Sequence, residues 1–98
     1  MVGIIILSMT DKELHRQKQA YKKRLTEIKQ SNGCADCGEN NPIVLDFDHL
    51  KDKKYNISRM IHDGFSWRSI KKEIEKCQVV CANCHRIRTY NRLIEKAC

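Results

Sequence analysis

The spacing of apolar residues predicts a short strand and then a long amphipathic helix in the first third of the chain. Residues 2–7 are apolar and mostly β-branched, which is typical of a strand or a strand-like arm. Thr10 and Glu13 form a capping box that opens a helix, which runs to about Gln30 and stops at Asn32-Gly33. The apolar residues of this helix share one face: Leu14, Tyr21, Leu25 and Ile28.

Two further apolar runs, residues 43–47 and 78–80, predict strands that pair as a hairpin. The polar segment 51–64 shows no clear periodicity of apolar residues, so no helix or strand is predicted there. After it, Ser66 caps a helix that extends to Lys76. The residues that this helix turns inward are Trp67, Ile70 and Ile74.

The last helix is expected to begin within the Cys-x-x-Cys motif at residues 81–84 and to run to about Lys96, burying Ile87 and Ile94 or their neighbours. With 98 residues the chain fits one compact domain, in which 1–32 form the arm and the basic helix and 33–98 form the core. Aromatic residues make up 6% and charged residues 32% of the chain, so the core is thin and needs reinforcement.

The charge of the chain favours a polyanionic partner. The formal net charge is +7, and lysines and arginines crowd the first predicted helix and the residues after position 85. Nucleic acid is the commonest partner of such a surface. A solvated helix face would give the same charge pattern.

Four of the six cysteines have the spacing of a metal site. They form two Cys-x-x-Cys pairs, Cys34 with Cys37 and Cys81 with Cys84. Four thiolates in two close pairs can surround a structural zinc ion, which is the default assignment. A four-thiolate iron site and a pair of disulfides are the alternatives. Cys77 is interpreted as a small buried residue beside the sheet and Cys98 as a loose terminal thiol.

The apolar run 2–7 is too short for a membrane span and lacks the basic leader of a signal peptide. We therefore expect a cytoplasmic protein without a membrane partner, in which the thiols stay reduced. An exposed apolar strand needs a partner. The same run is accordingly the basis for a predicted homodimer.

The candidate chemistry lies beside the metal site. Asp48 and His49 follow the first predicted strand of the hairpin, and His85 follows Cys84 directly. Consecutive strand residues point to opposite faces. Asp48 and His49 therefore cannot both contact one ion, so one is expected to bind it while the other reaches a neighbouring water.

These motifs, taken in order over residues 33–90, resemble the zinc-stapled branch of the HNH endonucleases. The segments that carry the resemblance are the first Cys-x-x-Cys pair, Leu45-Asp46-Phe47-Asp48-His49-Leu50, and Cys77-Gln78-Val79-Val80-Cys81-Ala82-Asn83-Cys84-His85-Arg86. The resemblance implies an α+β fold with a ββα-metal core. It also implies that His49 is the general base and that Asp48 and His85 bind a catalytic magnesium or manganese ion. The expected activity is hydrolysis of DNA with 5′-phosphate products.

The family's middle asparagine, which orients the base, has no counterpart at its common place, where this chain has Lys76-Cys77. Asn56 is assigned to that role, and Asn83 is the alternative. The residues expected to contact phosphates are Lys22, Lys23, Lys53, Lys54, Arg86 and Arg88. Because phosphate contacts carry no sequence information, little sequence specificity is expected. The competing interpretations are a non-catalytic zinc-knuckle module that binds nucleic acid and a zinc-stapled protein-interaction domain.

Overall fold

The computed structural model describes residues 10–97, which form a small α+β structure with four α-helices and a two-stranded antiparallel sheet. The predicted arm at 2–7, the dimer based on it, and Cys98 lie outside the described residues. Within 10–97, no helix combines the length and the apolar character that crossing a bilayer requires. The elements in chain order are α1 (Asp11–Asn32), a 3₁₀ turn (Pro42–Val44), β1 (Leu45–His49), α2 (Ile57–His62), α3 (Trp67–Ile74), β2 (Cys77–Cys81) and α4 (Ala82–Ala97).

Helix α1 begins as the capping box predicts, with the Glu13 N–H donating to the Thr10 hydroxyl at 3.2 Å. It continues two residues beyond the predicted end. It stops at Gly33, whose backbone φ of 67° suits a residue without a side chain. Leu25 is the buried residue of this helix, and Tyr21 packs beside Trp67 with 5.4 Å between ring centroids.

The predicted hairpin is confirmed: β1 and β2 pair antiparallel, with Leu45 opposite Cys81 and His49 opposite Cys77. The predicted start of the first strand was two residues early. Pro42 at the start of the 3₁₀ turn and the Ile43 N–H bonded to the Asn41 side chain keep this segment out of the strand.

The unassigned segment contains α2, which is only six residues long and buries Ile57, Met60 and Ile61. Helix α3 starts at its predicted cap, since the Ser69 N–H donates to the Ser66 hydroxyl at 3.3 Å. It ends at Ile74, two residues before the predicted end. Both helices and α1 contribute to one apolar cluster, and the two strands together with Cys34 form a second.

The start of α4 is as predicted, but the prediction that Ile87 and Ile94 are buried is wrong. Their exposed fractions are 58% and 44%. The side of α4 that faces the sheet carries His85, Arg88 and Arg92, because the sheet presents a carboxylate, Asp48, to this helix. The isoleucines therefore point to solvent.

Candidate functional site

The four paired cysteines are placed to hold a metal ion. The Sγ atoms of Cys34, Cys37, Cys81 and Cys84 all lie within 4.8 Å of one another. The Ala35 N–H donates to the Val79 carbonyl at 2.8 Å, which fastens the first pair beside β2. The predicted four-thiolate set therefore assembles in space, and its donor chemistry is compatible with structural zinc.

One of these thiols is already biased toward the thiolate form that a metal requires. Burial raises the pKa of Cys34, but hydrogen bonds from the backbone of Cys81, Cys37 and Asp36 outweigh it and lower the pKa to about 6. Cys77 behaves differently. Burial and the charges of Glu73 and Asp48 raise its pKa to about 11, so this fifth thiol stays protonated.

Asp48 is a buried carboxylate, 3% exposed, surrounded by positive charge. Arg88 donates to it at 2.9 Å, and Arg92 donates to both of its oxygens, at 3.0 and 2.8 Å. Burial alone raises the pKa of Asp48, but the hydrogen bonds from Arg92 and Arg88 reverse this and hold the pKa below its usual range. The carboxylate is therefore ionised at neutral pH.

His85 connects Asp48 with a second carboxylate. Its Nε2 lies 3.5 Å from Asp48 Oδ1, and its Nδ1 lies 3.3 Å from Asp46 Oδ2. Asp46 and Asp48 are two positions apart on β1 and therefore share a face of the sheet. A carboxylate at one ring nitrogen orients a histidine so that the other nitrogen can bind a metal.

His49 is on the opposite face of β1, as the alternation predicts. Its Nε2 lies 2.9 Å from Glu73 Oε2 of helix α3, and both side chains are nearly buried. The same Glu73 oxygen accepts the backbone N–H of Lys54 at 3.0 Å, and the other oxygen accepts from Lys76 Nζ at 3.1 Å. The ring of His49 is thereby held between the strand and α3.

A cleft of about 520 Å³ opens at the end of β1. Helix α1 contributes Lys29 to its wall, and the Lys29 Nζ stands 5.3 Å from the Phe47 ring centroid. The four residues predicted to have catalytic roles all line this cleft: Asp48, His49, Asn56 and His85. Asp46 and Arg92, which were not predicted, line it as well. The structure thus brings the predicted acid and both histidines to one place.

Asn56, predicted to orient the base, lines the cleft and precedes α2, and its side chain makes no cap hydrogen bond there. Among the described residues, it is Glu73 that hydrogen bonds to His49. Asn83, the alternative, lies exposed in the first turn of α4.

The predicted phosphate contacts fall into three groups. Lys53 lines the cleft, and Lys22 lines a smaller groove that adjoins it between α1 and α2. Lys23, Lys54 and Arg86 are exposed outside both cavities. Arg88 is engaged by protein groups instead, with its guanidinium bonded to Asp36, Gln78 and Asp48.

Sequence reasoning missed Asp46, Glu73 and Arg92. A signal for two of them was available. Asp46 stands two residues before Asp48 in a strand, and Glu73 falls on the inward stripe of Ile70 and Ile74 at helical spacing. A carboxylate at such an inward position calls for a partner, and His49 is that partner.

The cleft contains two neighbouring groups that could contact one divalent ion. Asp48 Oδ1 and His85 Nε2 are 3.5 Å apart. Two ligands of one Mg²⁺, each about 2.1 Å from it, are at most about 4.2 Å apart. No family model, curated protein or solved structure matches this chain.

Proposed function

We propose that this protein is a metal-dependent endonuclease of the HNH type, with a ββα-metal core stapled by zinc, that hydrolyses DNA. One observation carries the proposal. Asp48 and His85 form a close pair in the wall of a cleft that also contains Lys29, Lys53 and Arg92, while His49 reaches the same cleft from the opposite face of β1. The four cysteines are left to a separate, structural ion.

Asp48 and His85 are the residues that would hold a magnesium or manganese ion. Such an ion supplies Lewis-acid stabilisation of the charge that develops on the phosphate and on the leaving oxygen. Asp46, at the other ring nitrogen of His85, keeps the imidazole turned toward Asp48.

His49 is the proposed general base. Neutral His49 takes a proton from a water molecule as the water oxygen bonds to phosphorus. The bond between phosphorus and the 3′ oxygen breaks, and that oxygen takes a proton from solvent. The products are a 3′ hydroxyl and, by resemblance to the family, a 5′ phosphate.

Arg92 is the cation that could release Asp48 and bind a phosphate of the substrate instead. Its side chain is 45% exposed and lines the cleft, whereas that of Arg88 is 19% exposed. Lys29 and Lys53 line the same cleft without a short hydrogen bond to a carboxylate in residues 10–97. These cations would hold the phosphates on either side of the scissile bond.

The groove between α1 and α2 extends the proposed path of the DNA backbone. Its volume is about 260 Å³, and its lining contains two lysines and two hydroxyls but no carboxylate: Lys22, Leu25, Thr26, Lys29, Ser58 and Ile61. It shares Leu25, Lys29 and Ser58 with the cleft. Helix α1 is thus part of the proposed substrate surface.

The test is cleavage of supercoiled plasmid by zinc-loaded protein freed of other ions, with Mg²⁺ or Mn²⁺ added back. We expect nicked or linear DNA with the intact chain and none with His49→Ala. The matched control is His62→Ala, which changes an exposed histidine outside the cleft. Folded, zinc-loaded protein that shifts DNA in a gel but never cuts it with either ion would instead support the non-catalytic binding module.

A further inference from the structure

Glu73 is a nearly buried carboxylate whose two oxygens are both in use. One oxygen faces His49 Nε2 at 2.9 Å and the Lys54 N–H at 3.0 Å, and the other accepts from Lys76 at 3.1 Å. Burial raises its pKa, but the hydrogen bonds from the Lys54 N–H, the Lys76 ammonium and the Tyr55 N–H outweigh burial and lower the pKa to about 2. Glu73 is therefore an ionised group that can only accept hydrogen bonds.

An acceptor at Nε2 decides which nitrogen of His49 carries the hydrogen. A neutral imidazole has one N–H donor and one acceptor nitrogen. Because Glu73 can only accept, the hydrogen is on Nε2 and the lone pair is on Nδ1. The ring is also fixed in orientation, since α3 anchors the carboxylate on one side and residues 54–55 hold it on the other.

We propose that Glu73 is the positioning residue of the general base and that Nδ1 of His49 is the atom that takes the proton from water. This inference rests on the proposed nuclease function and adds a residue and an atom to it. Glu73 lies outside the residues that line the cleft and acts through His49 alone. It takes the orienting role that the sequence assigned to Asn56.

The variants are chosen to separate positioning from simple support of the fold. Glu73→Met keeps an unbranched side chain and removes the acceptor, and Glu73→Gln restores an oxygen acceptor without the charge. Lys76→Met is the matched control, because it removes the partner of the other Glu73 oxygen and leaves the His49 contact in place.

Two readouts are used on the intact, zinc-loaded protein. ¹⁵N NMR of histidine-labelled protein reports which nitrogen of neutral His49 is protonated, and plasmid-nicking kinetics separate kcat from KM. We expect the Nε2–H form in the unaltered protein. In Glu73→Met we expect a mixture of forms and a kcat lowered about 10- to 100-fold, with KM changed less than about threefold.

Glu73→Gln is expected to recover the Nε2–H form and part of kcat, and Lys76→Met to keep both. If Glu73→Met does not fold by circular dichroism, Glu73→Gln carries the test, with a loss of about tenfold in kcat expected. His49 protonated at Nδ1 in the unaltered protein, or kcat within twofold in every folded Glu73 variant, would overturn the proposal. If His49 carries its hydrogen on Nε2 but the protein never cuts DNA, the proposed nuclease function and the role of His49 as general base are both wrong. The contact between Glu73 and His49 would still be correct.

Discussion

The guanidinium of Arg88 makes two hydrogen bonds of 2.7 Å to the carboxylate of Asp36, across 52 positions of the chain. Asp36 lies between Cys34 and Cys37, the first pair of the four-cysteine cluster, and a third nitrogen of Arg88 reaches Asp48 at 2.9 Å. The hydrogen bonds from Arg88 hold the pKa of Asp36 below its usual range. One side chain therefore connects the four-cysteine centre with the candidate catalytic carboxylate.

Arg88→Lys should weaken both regions, because an ammonium cannot reproduce a planar two-bond contact. We expect a loss of about 1–3 kcal/mol in the free energy of unfolding and slower cleavage, with one zinc ion per chain retained. Urea unfolding and metal analysis measure these quantities. Arg86→Lys is the control, since Arg86 is exposed two positions away; equal behaviour of the two variants would contradict the bridging role.

Removal of the structural ion should unfold the protein. A structural zinc contributes on the order of 10 kcal/mol of apparent folding energy, more than a small core can replace. Cys81→Ser is expected to bind no zinc and to show no cooperative melting by circular dichroism. Cys77→Ser, which changes a thiol outside the cluster, should still bind one ion. A cooperatively melting Cys81→Ser protein without metal would refute this assignment.

Asp46→Ala should weaken binding of the proposed catalytic ion and leave zinc binding unchanged. Loss of the contact at Nδ1 frees the His85 ring to turn away from Asp48, so the affinity for Mn²⁺ should fall about tenfold or more. Electron paramagnetic resonance of free Mn²⁺ during a titration gives the affinity. Asp63→Ala provides the control for lost negative charge, because Asp63 lies outside the cleft. Unchanged Mn²⁺ affinity in Asp46→Ala would show that His85 needs no such support.

Lys22→Gln and Lys29→Gln should each reduce the salt dependence of DNA binding. One lost phosphate contact lowers the slope of log affinity against log salt by about 1. Lys12→Gln alters the same helix outside both cavities and should leave the slope unchanged. Fluorescence anisotropy with a labelled duplex measures the slopes, and three identical values would rule out the groove between α1 and α2 as a backbone path.

Glu73 should make stability depend on pH. Its folded pKa of about 2 lies below the ordinary 4.5, so its contribution is complete above about pH 4.5 and is lost as the pH falls toward 2. A depression of this size corresponds to about 3 kcal/mol at neutral pH. The readout is the ¹³C chemical shift of the Glu73 side-chain carboxylate, followed in the zinc-loaded protein from pH 7 down to the pH at which the fold is lost. A shift that reports protonation of Glu73 near pH 4.5 while the protein is still folded would contradict this account.

Much of the framework follows from local sequence signals. The caps at Thr10 and Ser66, the pairing of the two strands and the four-cysteine set depend on residue types at fixed spacing, and each is found as expected. Helix α2 was not predicted because its six residues are too few to show the helical periodicity of apolar positions.

The orientation of α4 and the partner of His49 depend on contacts between distant residues. An amphipathic helix would be expected to bury Ile87. The buried carboxylate of Asp48 requires cations from the facing helix, so α4 presents its arginines to the sheet and Ile87 to solvent. Glu73 is 24 residues from His49, and only the packing of α3 against β2 brings the two together. A local sequence pattern does not indicate which distant residue such a side chain contacts.

The long-range links of this chain also bear on when the protein becomes active during its synthesis. The cluster of Cys34 and Cys37 is complete only once Cys81 and Cys84 have been added to the chain. Asp48 likewise gains its contact with Arg92 only 44 residues later. Since a ribosome releases the chain from its N-terminus onward, a nascent chain that lacks α4 has neither the complete four-cysteine cluster nor both of the proposed catalytic histidines. The proposed DNA-cutting activity therefore requires α4, and a nascent chain synthesised only as far as β2 would not have it.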